Sequence, residues 1–286
     1  MNTVAIVSKP DKPELTQIVP QVLDWLAKHG YSVMVDRETS TYLPGATEVV
    51  SRDDLQTRRP ELLIVLGGDG TLLSAARAVA PLDTCILGIN LGSLGFLTEV
   101  PLADLYASLE AVHAGQWQAD DRSMMYAKLV RGDRVMSDYH ALNDVILSKS
   151  TIARLVSFEI FINNEFVSSY RGDGLIVATP TGSTAYSLAA GGPILTPSTQ
   201  ALVISPICPH ALTHRPVVVP DSVEIEIMVL SAHDEAYLSI DGQIGIPVRR
   251  GDKLVCRKSP YVTHLLRLRT TFFEVLRTKL KWGEKQ

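Results

Sequence analysis

Three short runs before residue 90 are apolar at nearly every position: Val4-Ala5-Ile6-Val7, Leu62-Leu63-Ile64-Val65-Leu66 and Cys85-Ile86-Leu87-Gly88-Ile89. A strand with one face in water alternates apolar and polar residues. A run without alternation therefore predicts a strand buried on both faces, as in a parallel sheet covered by helices. The intervening segments supply those helices. Leu15, Ile18, Val19, Val22, Leu23 and Leu26 recur at helical spacing over residues 14–28, and His29-Gly30 stops the pattern. Residues 33–35 read as a further strand, and residues 71–80 as a helix ended by Pro81. This βαβ rhythm restricts the first part of the chain to an α/β fold with a parallel sheet.

The pattern changes between Trp117 and Arg122. From Met125 onward the runs are short, rich in Val, Ile, Phe and Tyr, and separated by Arg131-Gly132-Asp133, Asn163-Asn164 and Asp241-Gly242. Such punctuation marks hairpins, and strands at this spacing predict an all-β, sandwich-like domain. A short helix over residues 184–190 interrupts it. Residues 272–280 turn helical again and are expected to pack back on the first domain. The expected division is an α/β domain over 1–122, a β-rich domain over 123–268 and a returning segment over 269–286. The 286-residue length fits about two domains.

Charge narrows the partners. With 27 Lys plus Arg against 31 Asp plus Glu, the net charge is −4, a poor basis for general binding to nucleic acid or an anionic membrane. Cys85, Cys208 and Cys256 are scattered and odd in number, which fits free buried thiols in a reducing compartment rather than disulfides or a zinc site. The first ten residues do not read as a signal peptide, and no run reaches the roughly 18 apolar residues of a membrane span. A cytoplasmic protein is expected.

Two segments carry chemistry. Gly67-Gly68-Asp69-Gly70-Thr71 follows a buried strand and opens a helix. Glycines there let backbone approach a phosphate, and the helix start offers N–H groups and a positive dipole end. A carboxylate in that turn repels phosphate, so Asp69 needs another reason: a proton to take, a hydroxyl to hold, a magnesium ion to share, or a helix to cap. The pentapeptide leaves these open. The second segment, Arg171-Gly172-Asp173-Gly174-Leu175, runs on to Thr179-Pro180-Thr181-Gly182-Ser183-Thr184-Ala185-Tyr186-Ser187. Its hydroxyls suit a phosphate or sugar, Tyr186 could stack on a base, and a mere connection needs one cap rather than four. Asn143-Asp144 and Asp241-Gly242-Gln243, each taken alone, read as turns. There is no GxxxxGK[ST], GxGxxG fingerprint, GxSxG or HExxH, which argues against a P-loop enzyme, a hydride-transferring Rossmann enzyme, a hydrolase elbow and a zincin.

Taken together, Gly67-Gly68-Asp69-Gly70-Thr71, Asn143-Asp144 and the run from Asp173-Gly174 through Ser187 resemble the bacterial NAD kinase family in order and spacing. The resemblance implies an N-terminal α/β domain, a C-terminal β-sandwich-like domain and a final segment returning to the first. It implies transfer of the γ-phosphoryl group of ATP, with a divalent metal such as Mg²⁺, to the 2′-hydroxyl of the adenosine ribose of NAD. It further implies a homodimer or homotetramer. By position, Asp69 would be the general base and Gly70 its backbone companion at the NAD. Asn143 and Asp144 would hold adenosine and ribose atoms. Arg154, Arg171, Asp173, Thr184, Ala185, Tyr186, Ser187, Leu188, Ala189 and Gln243 would line the dinucleotide site, with Phe96 as a wall. No metal ligands are assigned. Two departures stand out: Asp144 where glutamate is commoner, and Ala178 where many members carry serine. A lipid or sphingoid kinase shares the Gly-Gly-Asp-Gly turn but not the Thr179 to Ser187 run. A non-catalytic NAD(P) sensor would have little use for Asp69.

Overall fold

The computed structural model describes residues 1–45, 48–149, 155–231, 236–268 and 271–282. It divides into two units, Met1–Asp121 together with Thr263–Gln286, and Arg122–Val262.

In the first unit the elements follow in order: β1 (Thr3–Ser8), α1 (Leu15–Lys28), β2 (Ser32–Asp36), α2 (Arg37–Ser40), β3 (Glu48–Val50), α3 (Leu55–Arg58), β4 (Leu62–Gly67), α4 (Asp69–Val79), β5 (Cys85–Asn90), β6 (Val100–Pro101) and α5 (Leu105–His113). The strands lie in the order β5-β4-β1-β2-β3, all parallel, with β6 beside β5. The three apolar runs are its centre, with Ile64 of β4 level with Ile6 on one side and Leu87 on the other. One face buries Val4, Ile6, Leu62 and Ile64 against Leu15, Val19 and Val22 of α1 and Leu105 and Leu109 of α5. α4 packs on β4 and β1. Helices thus cover both faces, which is why these strands carry no polar alternation. The chain grows from β1 first toward β3, then from β4 toward β5. The order therefore reverses between β1 and β4, where α/β sheets place ligands beyond the carboxyl ends of the strands. β4 ends there, at Gly67.

In the second unit the elements are β7 (Gln118–Arg131), β8 (Arg134–Ala141), β9 (Asp144–Lys149), β10 (Val156–Ile162), β11 (Glu165–Gly172), β12 (Gly174–Ala178), a 3₁₀ turn (Gly182–Thr184), α6 (Tyr186–Ala189), β13 (Ala201–Ile207), β14 (Val217–Pro220), β15 (Ile225–Ser231), β16 (Ala236–Ile240), β17 (Ile244–Val248) and β18 (Asp252–Arg267). One antiparallel layer has β11, β10, β15 and β18 side by side, and β7 pairs with β18 and β8. The other runs β14-β13-β12-β9-β16-β17. Met125, Phe158, Ile160 and Ile227 of the first layer share one core with Val145, Leu147, Val177 and Leu238 of the second, so the unit is an antiparallel β-sandwich. The expected hairpin residues adopt left-handed backbone: Gly132, Asn163, Asn164, Asp241 and Gly242 all have positive φ.

Several details differ from the sequence reading. α4 begins at Asp69, two residues earlier than its periodicity indicated. Residues 184–190 form a 3₁₀ turn and a four-residue helix, broken at Ala185 by a non-helical backbone. Cys208 is exposed, Cys85 half-buried and only Cys256 buried. α7 (Phe272–Leu280) forms as expected, opened by a capping box in which Thr271 and Glu274 satisfy each other's backbone N–H. No described helix is long and apolar enough to cross a membrane.

Phe158 is fully buried at the centre of the sandwich core. Phe158→Ala is expected to cost about 3–5 kcal/mol in equilibrium urea unfolding, through lost apolar burial and the cavity left behind.

Candidate active site

Gly67, the last residue of β4, lies level with Asn90, the last of β5, so the turns following the two strands emerge side by side. Gly67 is glycine because the Thr71 side chain folds over it, leaving no room for a Cβ. Gly68 is the N-cap of α4, and its carbonyl accepts from the N–H groups of Thr71 and Leu72. Asp69 does not cap its own helix. Its carboxylate instead reaches the turn beyond β5, accepting from the N–H of Phe96 (2.8 Å), Leu97 (3.1 Å) and Thr98 (3.0 Å) and from the Thr98 hydroxyl (3.0 Å). A Cβ at Gly95 would overlap that carboxylate, so this glycine makes the cradle possible. Phe96 was expected to act through its ring, but its backbone N–H also holds Asp69. The ring is half-buried, with Lys279 Nζ 5.9 Å from its centroid. Gly70 sits exposed in the first turn of α4, where the helix dipole favours anions.

The second unit builds its own polar cluster around Asp241. This buried aspartate, held with φ +49° in the β16–β17 hairpin, accepts from the N–H groups of three consecutive residues: Leu142 (3.2 Å), Asn143 (2.7 Å) and Asp144 (3.2 Å). Thr179 holds the same stretch from the other side. Its hydroxyl donates to the Leu142 carbonyl (2.5 Å) and accepts from Gly182 N–H (3.1 Å), while its N–H donates to the Asn143 carbonyl (2.9 Å). Gly182 packs directly against the Asn143 backbone, which leaves no room for a Cβ. The chain at Asn143-Asp144 is therefore clamped rather than a free turn.

Two groups in this clamp stand out for their burial. Asn143 Oδ1 is buried and accepts no hydrogen bond among the described residues. Asp144 is 3% exposed, and burial, reinforced by the charge of Asp241, pushes its carboxyl up to about 7. A buried carbonyl oxygen without a donor and a carboxyl poised near neutrality both suit a polar ligand that completes their hydrogen bonds.

The hydroxyls of the Thr179 to Ser187 segment have partners within the unit. Thr181 Oγ1 accepts from the buried Arg122 (3.4 Å), Ser183 donates to the Pro180 carbonyl (2.6 Å) and accepts from Leu195 N–H, and Thr184 donates to the Thr181 carbonyl. Ser187 is fully buried and pairs with Ser205 (2.9 Å). These hydroxyls hold the turn together, because a tight 3₁₀ connection buried in the unit must satisfy its own carbonyls. Tyr186 and Ala189 are exposed, while Ala185 and Leu188 are half-buried. Asp173 pairs with Lys149 (2.7 Å), exposed Arg171 accepts His210 N–H at its carbonyl, and Gln243 is exposed in the hairpin beside Asp241. Arg154 lies outside the described residues. Sequence reasoning missed Asn90, Gly95, Thr98 and Thr179, and took Asp241 for a hairpin residue only. Their roles are contacts across the fold, with no local signal beyond the glycines of Gly92-Ser93-Leu94-Gly95.

A resident metal would need converging acidic, imidazole or thiolate side chains, and no three such groups cluster among the described residues. A divalent ion held here by the described residues would take most of its ligands from a nucleotide's phosphates and water.

The carboxylate cradled beside a glycine turn at a helix start is placed to accept a proton where backbone N–H groups favour phosphate, and neither a P-loop nor a GxGxxG turn is present. Residues 4–117 match the ATP-NAD kinase N-terminal domain and residues 142–268 the ATP-NAD kinase C-terminal domain. The chain is 55% identical over 286 residues to the NAD kinase of Koribacter versatilis and 49% identical to that of Acidobacterium capsulatum, covering all of each. Among solved structures it resembles yeast NADH kinase complexed with NADH, at TM-score 0.90 and 25% identity, over 100% of this chain and 89% of that one. An NAD kinase from Archaeoglobus fulgidus in complex with ATP shares the fold at TM-score 0.73 and 23% identity, over 96% of this chain and 98% of that one. The chain belongs to the ATP-NAD kinase family.

Asp144 also makes stability depend on pH. An unfolded aspartate releases its proton near 3.9, whereas the folded one holds it to about 7. Between these values the folded state binds more protons, so this residue's contribution falls as pH rises. Asp144→Asn is expected to raise Tm relative to the parent more at pH 8 than at pH 4, measured by differential scanning calorimetry.

Proposed function

We propose that the chain transfers the γ-phosphoryl group of ATP to the 2′-hydroxyl of the adenosine ribose of NAD, with Asp69 as the general base. NAD kinase activity goes with membership of the family; the assignment of residues is our reading. The observation that carries it is the four-donor cradle around Asp69. A carboxylate that merely capped α4 would face its own helix. This one is held in a single orientation at the end of β4, where the glycine turn and helix dipole attract phosphate. A ribose hydroxyl is scarcely ionised at pH 7, so a positioned acceptor for its proton contributes roughly 10²–10⁴-fold.

Asn143 and Asp144 are assigned to the adenosine and its ribose. The buried Asn143 Oδ1 can accept from a ligand N–H or O–H, and Asp144 can donate or accept according to its protonation. Arg171, Asp173, Tyr186 and Gln243 are proposed to contact the dinucleotide from the exposed side of the same unit. Ser187 contributes backbone only, since its hydroxyl faces Ser205. Magnesium is proposed to arrive on ATP.

The family resemblance also supports a homo-oligomer. Exposed apolar side chains lie on the outer strands of the sandwich: Val135 and Met136 on β8, Phe166 and Val167 on β11, Val217 and Val218 on β14. Light scattering after gel filtration is expected to give a dimer or tetramer mass, and a monomer at micromolar concentration would refute it.

Asp69→Asn is expected to lower NADP formation at least about 100-fold while leaving NAD affinity by calorimetry within about tenfold, because a base acts on the barrier. Retention of a tenth of the parent turnover would remove Asp69 from that role. An NAD analogue with a 2′-deoxyadenosine moiety is expected to bind competitively and never to accept phosphate, as followed by mass spectrometry.

A further inference from the structure

The four donors around Asp69 do not treat its two oxygens alike. Oδ1 accepts from Leu97 N–H (3.1 Å), Thr98 N–H (3.0 Å) and Thr98 Oγ1 (3.0 Å), whereas Oδ2 accepts only from Phe96 N–H (2.8 Å) among the described residues. A carboxylate oxygen offers roughly two lone-pair directions, so three donors saturate Oδ1 and one leaves Oδ2 room for another.

The Thr98 hydroxyl has a defined direction. Asn90 Nδ2 lies 2.9 Å from Thr98 Oγ1, and an amide nitrogen only donates. The hydroxyl therefore accepts on that side, and its own proton goes to Asp69 Oδ1. Asn90 is itself locked: its Oδ1 accepts from Gly92 N–H (2.6 Å), while Nδ2 also faces the carbonyls of Ser93 (2.8 Å) and Thr98 (3.2 Å). Turning the amide over would set its oxygen against two carbonyls. Asn90 is 5% exposed and Thr98 fully buried, so water does not compete with this chain of bonds.

We infer that Asn90 and Thr98 form a positioning relay, from Asn90 Nδ2–H to the Thr98 hydroxyl to Asp69 Oδ1, which commits Oδ1 to anchoring and leaves Oδ2 as the oxygen that takes the proton. The inference rests on Asp69 being the base. In the step itself the 2′-O–H proton passes to Oδ2, the ribose 2′-oxygen forms a bond to the γ-phosphorus, and the bond from that phosphorus to the β–γ bridging oxygen breaks, its electron pair leaving on ADP. Asn90 and Thr98 are both buried. Both act by keeping one oxygen occupied and the other aimed outward.

The test uses the full chain with saturating ATP and four proteins: parent, Thr98→Val, Thr98→Ser and Asp69→Asn. Valine keeps the shape of threonine without the hydroxyl, and Asn90 Nδ2 retains its two carbonyl partners, so the turn keeps its other bonds. Thr98→Val is expected to lower kcat about tenfold, the equivalent of one hydrogen bond in the transition state, with KM for NAD within about threefold. Thr98→Ser is expected to restore kcat to within about threefold of the parent. A merely structural threonine would not split kcat from KM in this way and would not be rescued by serine. Parent-like kcat in Thr98→Val, or failure of serine to restore activity, would overturn the relay, provided Asp69→Asn is inactive. An active Asp69→Asn would overturn the base assignment instead. Should Thr98→Val not fold, Thr98→Ala takes its place with the same expectations.

Discussion

The hydrogen-bonded cradle around Asp69 is the constraint on which the geometry of the candidate site in the first unit depends. A carboxylate at the start of a helix, next to a glycine turn that attracts phosphate, is free to swing toward the helix amides or into solvent. Here donors from three consecutive residues, Phe96 to Thr98, hold it across a gap. That gap is short because β4 and β5 are adjacent parallel strands whose last residues, Gly67 and Asn90, lie level. Parallel pairing brings successive carboxyl ends to one edge, and so delivers the carboxylate from one turn and its holder from the next. Gly88 contributes by leaving room on β5 for Leu72 of α4 and for Thr98.

The second unit solves a related problem with a different device. Its polar residues lie at the end of an antiparallel sandwich, where no crossover helix presents amides. Asp241, in a left-handed hairpin position, accepts the three N–H groups that precede and open β9, and Thr179 ties the other side. With the backbone so satisfied, the side chains of Asn143 and Asp144 are spared from structural duty. The cost is a buried carboxyl beside another carboxylate, and Asp144 answers by holding its proton to about 7. Unsatisfied polar groups at this level of burial are tolerated where a ligand completes them.

Much of the fold was legible because hydrophobic burial writes periodicity into sequence. The uniform runs at β1, β4 and β5, the amphipathic α1 and the paired turn residues Asn163-Asn164 all announce their surroundings. The short elements α2, α3, β3 and β6 did not, since two to four residues carry too little periodicity to read. β12 shows the limit of the pattern: it is buried on both faces although its neighbours β9 and β13 are antiparallel to it. Ala190 and Leu195, beyond α6, cover its outer face, a contact no local period signals. In the candidate site, Asp69 and Asn143-Asp144 were singled out through motif resemblance, whereas Asn90, Thr98 and Thr179 were not, because each bonds a partner distant in sequence.

By itself the sequence determined that an apolar, helix-covered parallel sheet comes first, that a hairpin-rich β domain follows, and that an aspartate stands in a glycine turn at a helix start. Those are consequences of local burial and turn chemistry, which depend on neighbours along the chain. Only the tertiary structure decided that Asp69 turns away from its own helix to the Phe96–Thr98 amides, and that the crowded hydroxyls of Thr181, Ser183 and Ser187 serve the fold. Hydrogen bonds are short-ranged and directional, so the partner a polar side chain finds is settled by which strands lie side by side.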